Sequence, residues 1–585
     1  MKSMPIFFHG KSKTTLQKIK NKIFILEKEE NWHYFSTLSA LISSYLIFSL
    51  IRFIATIVFD EPIIFGDELT YRYLSYSFYK YKDFYEFINF GHVSNGNILY
   101  QFFISPSFIF GDNFYIVSKL INCLLINSAI FPSYLIMRQF VSRQKAFFSS
   151  LLILIIPQLS IANYMLPESL YFPLFLWCFF ACFKLLSEFQ VKYSILTGIL
   201  FALLFLTKPT ATTLIVSFLI TNLLVFICAP KYSINRRKIL ISLVISTIAF
   251  FLMSMILREI FSLSNILGES YSNSGNKFFK NWTLSIFLST KFLIMATSHL
   301  STFGFLYLLP FLVSLFALFQ EIKIKQYQNI VFLTLGLISF ILHLLATLKF
   351  TVDIAGAENL ARLHARYYFM TYPFFIFSFI IFSEKIIWSA KRKLLLFISI
   401  SLLLFQYIFI FYPNFIQIKC YGFVIDNIAF SCLLLMPKFL MVIALVFLSV
   451  TLLYYLVQKN NKLLPFIVFY LVISIFQNAG HINSLYKLHY AGALACRPSR
   501  YFIKNTIPSY DEKVLMIGSS ILPELNISFW HPYQYVKVLL LPKDTHLSRE
   551  LISNDVKYIV MFDNYKIDIP YRFIVQKGNC SIISL

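Results

Sequence analysis

The sequence is short of charge and of cofactor-binding motifs. Charged residues make up only 13% of its 585 positions, and Asp and Glu together number 27. Its eight cysteines form no CxxC pair, and most of them lie in apolar runs, where they act as small hydrophobic side chains. Neither a GxGxxG motif nor a P-loop is present, so the sequence gives no sign of a nucleotide-binding site.

Apolar residues take the place of the missing charge. Hydrophobic residues make up 58% of the chain and the mean hydropathy is +0.70. Runs of roughly 20 apolar residues recur from end to end, each long enough to span hydrocarbon as a helix. The sequence therefore predicts a polytopic α-helical membrane protein. The net charge of +24 comes from Lys and Arg clustered between these runs, where they orient the chain during insertion, so we expect no binding to nucleic acid.

Thirteen membrane spans are predicted. The first apolar run is too long for a signal peptide, so residues 1–32 are expected in the cytoplasm and the C-terminus on the opposite side. The predicted spans are about 33–59, 115–137, 145–162, 168–187, 193–207, 210–229, 238–260, 299–320, 329–349, 367–384, 394–412, 432–457 and 463–478.

The distribution of Lys and Arg agrees with this topology, because the loops assigned to the cytoplasm are the short basic ones. The outer segments are longer, and the first of them covers residues 60–114. Four charged residues that attract interest then face outward together with the basic and aromatic stretch 358–368. They are Asp67, Glu68, Glu168 and Lys208.

The tail, residues 479–585, differs from the membrane domain at 33–478. Its β-rich runs at 513–520 and 556–563 end in turn residues, a short helix fits 547–554, and 571–585 has the pattern of a closing hairpin. We expect a small α/β domain outside the membrane on the extracytoplasmic side.

Acidic residues lie at the beginning of two segments on the predicted outer side. Asp67 and Glu68 follow the first span and open an aromatic-rich segment, and Glu168 follows Pro167 at the start of another span. A carboxylate at the interface can take the proton of an acceptor hydroxyl. Acidic side chains also stabilise helix N-termini, so the residues alone leave a catalytic and a structural interpretation open.

Basic residues also lie on the predicted outer side of the membrane. Arg362, His364 and Arg366 precede a late span, and a helix starting there would place the two arginines on one face. Guanidinium groups bind phosphate oxygens bidentately, so this stretch suits a lipid-linked phosphate, and Lys208 adds a further charge. The alternative is contact with lipid headgroups or a salt bridge to Glu358.

Four motifs in this order resemble the GT-C superfamily of integral-membrane glycosyltransferases. They are Phe-Gly-Asp-Glu-Leu-Thr-Tyr at 65–71, Leu-Pro-Glu-Ser-Leu-Tyr at 166–171, Thr-Lys-Pro at 207–209 and Arg-Leu-His-Ala-Arg-Tyr-Tyr at 362–368. The bacterial dolichyl-phosphate-mannose-protein mannosyltransferase-like and aminoarabinose-transferase-like proteins are the most similar groups. The resemblance covers roughly residues 40–480. The second motif departs from the mannosyltransferase pattern, which leaves the sugar and the acceptor open.

The resemblance implies an inverting transfer of a sugar from a polyprenyl-phosphate donor to an acceptor hydroxyl on a glycan, lipid or protein. Asp67 would be the general base with Glu68 as its neighbour and alternate, and Glu168 would orient the acceptor. The donor phosphate would be held by the cations already introduced, which are Lys208, Arg362, His364 and Arg366. No cofactor is required, although some members use a divalent metal, for which Glu168 and His299 are weak candidate ligands.

Two other functions compete with this one. A transporter or flippase for lipid-linked saccharides would place charges within the spans, where the sequence has few, among them Arg52, Arg258 and His343. An O-antigen-type polymerase or ligase would depend on arginines rather than on Asp67. The short basic inner loops suit a bacterial inner membrane.

Overall fold

The computed structural model describes residues 34–59, 65–84, 98–261, 289–354 and 364–406 with short gaps, and parts of 466–478, 502–518 and 534–585. Fourteen helices lie in its first part, as far as residue 406. They are α1 (Tyr34–Ile57), α2 (Phe65–Tyr81), α3 (Ile98–Ile104), α4 (Phe114–Asn127), α5 (Ile130–Met137), α6 (Arg143–Ile153), α7 (Glu168–Glu188), α8 (Val191–Thr207), α9 (Ala211–Cys228), α10 (Arg236–Ile260), α11 (Thr290–Ile324), α12 (Tyr327–Ile354), α13 (Tyr372–Phe382) and α14 (Ala390–Gln406).

The prediction of a polytopic helical membrane protein is confirmed. Among the described residues, seven helices are long and apolar enough to cross a membrane, or eight if a bent pair counts as one span. The predicted span 432–457 lies outside the described residues, so the total of thirteen stays a prediction.

The predicted span at 145–162 is bent rather than continuous. Helix α6 ends at Ile153, a 3₁₀ helix follows at Pro157–Asn163, and the two together are long and apolar enough for one broken span with a bend of 58°. Pro157 explains the break, because its ring removes a backbone donor and disfavours helix in the residue before it. The chain therefore bends before it reaches Glu168.

Two further boundaries differ from the prediction. Helix α11 begins at Thr290, nine residues before the predicted start, so His299 lies inside the helix rather than at its outer end. Arg366 lies in a 3₁₀ turn, Ala365–Tyr367, and not in an α-helix that would align it with Arg362. Arg362 itself and the neighbouring Glu358 lie outside the described residues.

Aromatic packing holds the bundle together around α7, the most enclosed of the candidate spans. Phe172 stacks on Phe369 from the 3₁₀ turn before α13, and Phe179 contacts Phe332 of α12. The approach of α12 to α13 depends on Gly336, since a Cβ there would overlap the Phe374 ring. Burial of such rings is the main source of stability in cores of this kind.

The outer segment after α1 folds into α2, α3 and a 3₁₀ helix at Ser105–Asn113. Its rings pack among themselves, with Phe78 stacked on Phe84 and Phe108 stacked on Phe114. Helix α2 forms in the aromatic stretch that follows Asp67 and Glu68, and it buries Leu69, Tyr73 and Leu74.

The described residues of the C-terminal part contain seven strands: β1 (Lys513–Gly518), β2 (Gln534–Leu540), β3 (His546–Leu547), β4 (Tyr558–Met561), β5 (Lys566–Ile567), β6 (Phe573–Lys577) and β7 (Cys580–Ser584). Five of them form a sheet in the order β2-β1-β4-β7-β6, parallel across β2, β1 and β4 and antiparallel at β7 and β6. The predicted strands at β1 and β4 and the closing hairpin are present. The helix predicted from Leu547 is wrong at that residue, which lies in β3.

The sheet packs on the outer helices. Alternate residues of β1 point to opposite faces, so that Val514 and Met516 join the cluster that contains Leu69 and Tyr73 of α2. Leu515 and Ile517 belong to the cluster on the other face. The C-terminal sheet therefore covers the helices that carry the first pair of acids.

Candidate active site

Glu68 lies in the first turn of α2 and is fully buried. Its Oε1 accepts hydrogen bonds from the Tyr115 hydroxyl and from the Met165 backbone N–H, each at 2.8 Å. These donors come from α4 and from the segment just before α7, so Glu68 joins three parts of the chain. Asp67 precedes it in the same turn.

A second group of hydrogen bonds fixes the segment that reaches Glu68. Tyr100 donates to Asn122 Oδ1 at 3.0 Å, and Asn122 Nδ2 donates to the Tyr164 carbonyl at 2.7 Å. Both Glu68 and Glu168 lie close enough to Tyr100 to interact with it electrostatically. The two glutamates therefore belong to one site.

Glu168 is the first residue of α7 and is 1% exposed. Its Oε1 lies 2.5 Å from Lys208 Nζ and 4.0 Å from Arg366 Nε. The second oxygen, Oε2, is buried and accepts no hydrogen bond from the residues that the structure describes. Two buried cations thus converge on one oxygen of this carboxylate.

Lys208 reaches Glu168 because the chain leaves α8 in an extended conformation, with φ −162° and ψ 138°, immediately before Pro209. Its Nζ lies 4.2 Å from the centre of the Tyr367 ring. Arg366 lies on the same ring, with Cζ 5.1 Å from its centre, and Nη2 donates to the Tyr367 hydroxyl at 3.2 Å. Cation–π contacts of this kind help to hold buried cations in place.

The two histidines predicted at the site are buried among aromatic rings. His364 stacks on Tyr367, with ring centres 5.6 Å apart. His299 Nδ1 lies 3.1 Å from the Tyr368 hydroxyl. Among the described residues, no group of three or more His, Cys, Asp or Glu could hold a metal ion.

The sequence analysis missed or gave no role to three further cations, of which Arg72 and Lys119 are buried and Arg52 is partly buried. Arg72, one turn after Glu68 on α2, lies within 5.5 Å of four aromatic ring centres. Lys119 donates to the carbonyls of Thr56 and Phe59 at the end of α1. Lys119 could have been recognised from the sequence, because it is a charged residue inside the predicted span 115–137.

Arg52 is the third of these cations and lies within α1. Its Nη2 donates to the Leu154 carbonyl at 2.7 Å, and its Nε donates to Asn127 Oδ1 at 3.2 Å. Leu154 follows α6, where the bent span breaks, so its carbonyl lacks a continuing helix to bond with. Arg52 thereby holds the break that leads the chain to Met165 and Glu168.

No protein-family model matches the sequence, and no curated protein matches it. Among solved structures, ArnT from Cupriavidus metallidurans bound to undecaprenyl phosphate is similar, with a TM-score of 0.54 and 12% identity over 94% of this chain and 98% of that one. ArnT in the apo state gives a TM-score of 0.51 at the same identity and coverage. The apo Archaeoglobus fulgidus oligosaccharyltransferase gives 0.48 and 12% over 91% and 70%. The two ArnT comparisons show that this chain shares the fold of ArnT.

Proposed function

We propose that this chain is a membrane glycosyltransferase that moves a sugar from a polyprenyl-phosphate donor to an acceptor hydroxyl. The observation that carries the proposal is the convergence of Lys208 and Arg366 on Glu168, beside the turn that bears Asp67 and Glu68. ArnT, which has the same fold, was solved with undecaprenyl phosphate bound. That ligand has the chemistry that paired ammonium and guanidinium groups recognise.

In the proposed reaction, Asp67 takes the proton of the acceptor hydroxyl as its oxygen attacks the anomeric carbon. The bond from that carbon to the phosphate oxygen breaks, and its electron pair stays on the phosphate, which leaves as polyprenyl phosphate. Attack from the opposite side inverts the anomeric centre. Lys208 and Arg366 stabilise the charge that develops on the leaving phosphate, so the chemistry requires no cofactor.

The buried position of Glu68 favours Asp67 as the base within this proposal. Glu68 is fully buried and its Oε1 already accepts two hydrogen bonds, whereas a general base must come within hydrogen-bond reach of the acceptor. Glu68 therefore acts as a positioning residue that fixes the turn in which Asp67 lies.

The test is release of undecaprenyl phosphate from a panel of synthetic undecaprenyl-phosphate sugars by the purified full chain in detergent. Asp67→Asn keeps the size of the side chain and removes the base, so we expect its turnover to fall by about 10²–10⁴-fold with donor binding retained. Equal turnover by both proteins would contradict the role of Asp67. Failure of the wild type to release lipid phosphate from any donor would contradict the glycosyltransferase.

A transporter of lipid-linked saccharides is the second candidate, and one observation favours it. The bent segment 143–163 and the partly buried Arg52 that binds it resemble the broken helices and intramembrane charges of transporters. Reconstituted vesicles distinguish the two functions. A transporter moves the intact donor across the membrane, whereas the proposed enzyme cleaves it on one side.

A further inference from the structure

Glu168 occupies the place where the proposed function puts a phosphate. Carboxylate and phosphate oxygens bind ammonium and guanidinium groups through the same charge-assisted hydrogen bonds. In this structure the oxygen that lies between Lys208 and Arg366 is Glu168 Oε1, at 2.5 Å and 4.0 Å. A carboxylate of the chain itself therefore lies between these two cations.

The contact of Glu168 with Lys208 and Arg366 is one that another anion can replace. Burying cations away from any anion is costly, so a carboxylate beside Lys208 and Arg366 stabilises them when no lipid phosphate is bound. Glu168 contacts them with one oxygen only, and its buried Oε2 accepts no hydrogen bond from the described residues. The Arg366 contact, at 4.0 Å, is also longer than a hydrogen bond.

A phosphate that approaches the same two cations meets the negative charge of Glu168. Two anions that share one site repel each other, and each weakens the hold of the cations on the other. The repulsion grows during the proposed reaction, because the leaving phosphate monoester carries about −1.5 to −2 charges at pH 7, more than the single charge of the donor diester. The product would otherwise bind the two cations more tightly than the donor does.

We propose that Glu168 is a built-in competitor for the phosphate site, which pairs with Lys208 and Arg366 in the absence of lipid and promotes the release of polyprenyl phosphate after transfer. This inference rests on the proposed function and assigns Glu168 a role in product release. It differs from the expectation that Glu168 orients the acceptor.

The test measures the affinity of the purified full chain for undecaprenyl phosphate in detergent, by isothermal titration calorimetry. Glu168→Gln removes the competing charge and keeps the size of the side chain, so we expect the dissociation constant to fall by about tenfold or more. Inhibition of turnover by added undecaprenyl phosphate should strengthen by a similar factor. An unchanged or weaker affinity would overturn the competitor role.

The same helix supplies a matched control. Glu188, at the opposite end of α7, forms an ion pair with Lys184, so Glu188→Gln removes a charge from the same helix far from the site. Its affinity for undecaprenyl phosphate should match that of the wild type. A gain equal to that of Glu168→Gln would show a general effect of net charge and overturn the inference.

Glu168→Gln also leaves two buried cations without their carboxylate, so its folding needs a separate check. Undecaprenyl phosphate added during purification should replace the missing anion and raise the unfolding temperature of the variant more than that of the wild type. A variant that lipid does not stabilise beyond the wild type would overturn the inference. Glu168→Asp, which keeps the charge on a shorter side chain, should bind with an affinity between those of the wild type and Glu168→Gln.

The outcomes separate this inference from the proposed function. If the wild type neither binds undecaprenyl phosphate nor releases it from a donor, the proposed function fails and the inference with it. If the wild type binds and turns over but Glu168→Gln binds no more tightly, only the competitor role fails.

Discussion

The two buried glutamates of the site are held in opposite ways. Glu68 accepts hydrogen bonds from neutral groups, the Tyr115 hydroxyl and the Met165 N–H. Glu168 pairs with the cations Lys208 and Arg366. Neutral donors fixed by the fold hold a carboxylate in place, whereas cations can change partner when another anion arrives. The comparison indicates one fixed acid and one exchangeable acid within the same site.

The largest loss of stability is expected when the ion pair between Glu168 and Lys208 is broken. Lys208→Met leaves Glu168 buried without its 2.5 Å partner, and breaking a buried ion pair by removing one member costs about 3–5 kcal/mol. We expect a clear fall in thermal unfolding temperature together with loss of undecaprenyl phosphate binding. Lys184→Met, which breaks the less buried pair with Glu188, is the control and should lose little stability and no lipid affinity.

Removing a neutral hydrogen-bond donor to Glu68 should cost less stability than removing Lys208. It should lower turnover rather than lipid affinity. Tyr115→Phe removes one of the two donors to Glu68, which leaves a buried acceptor short of a hydrogen bond and costs about 1–3 kcal/mol. Loosening of the turn that bears Asp67 should lower kcat, while the dissociation constant of undecaprenyl phosphate stays as in the wild type. Tighter lipid binding by Tyr115→Phe would remove the distinction between the two glutamates.

Arg52 shares a feature with each glutamate site, since it is a partly buried cation that binds neutral acceptors, the Leu154 carbonyl and Asn127 Oδ1. Arg52→Met leaves that carbonyl without its donor and should cost about 1–3 kcal/mol. Because Arg52 holds the break before Met165, kcat should fall with little change in KM. Arg52→Lys, which keeps a charged donor, should recover part of the turnover, and an equal loss in both variants would argue against a positioning role.

The sequence predicted the framework of this site because hydrophobic run length and the sidedness of basic loops are properties of local segments. Glu168, Lys208 and Arg366 were predicted on one face of the membrane, and the structure brings these three together. The hairpin of β6 and β7 could be predicted in the same way, from a local turn between two short runs.

The contacts of Glu68 could not be predicted, because Tyr115 and Met165 lie 47 and 97 residues away in sequence. No local pattern encodes which tyrosine of an aromatic-rich segment meets which acid. The proline at position 157 is apparent in the sequence, but the length of the apolar run led to the prediction of one span at 145–162. The burial of Arg72 also depends on tertiary packing, since its aromatic neighbours include Phe108 and Phe114 from a later segment.

The smallest effect is expected for an ion pair that shares the chemistry of Glu168 without its burial. Lys504 Nζ lies 2.5 Å from Asp112 Oδ2, between the C-terminal part and the outer 3₁₀ helix, and the Asp112 side chain is 79% exposed. Exposed pairs contribute about 0–1 kcal/mol and weaken with salt. Asp112→Asn should therefore leave turnover unchanged and shift the unfolding temperature only slightly, and less at high salt. A loss as large as that of Lys208→Met would mean that attachment of the C-terminal sheet, rather than burial of the pair, decides how strongly a carboxylate and a cation stabilise this protein.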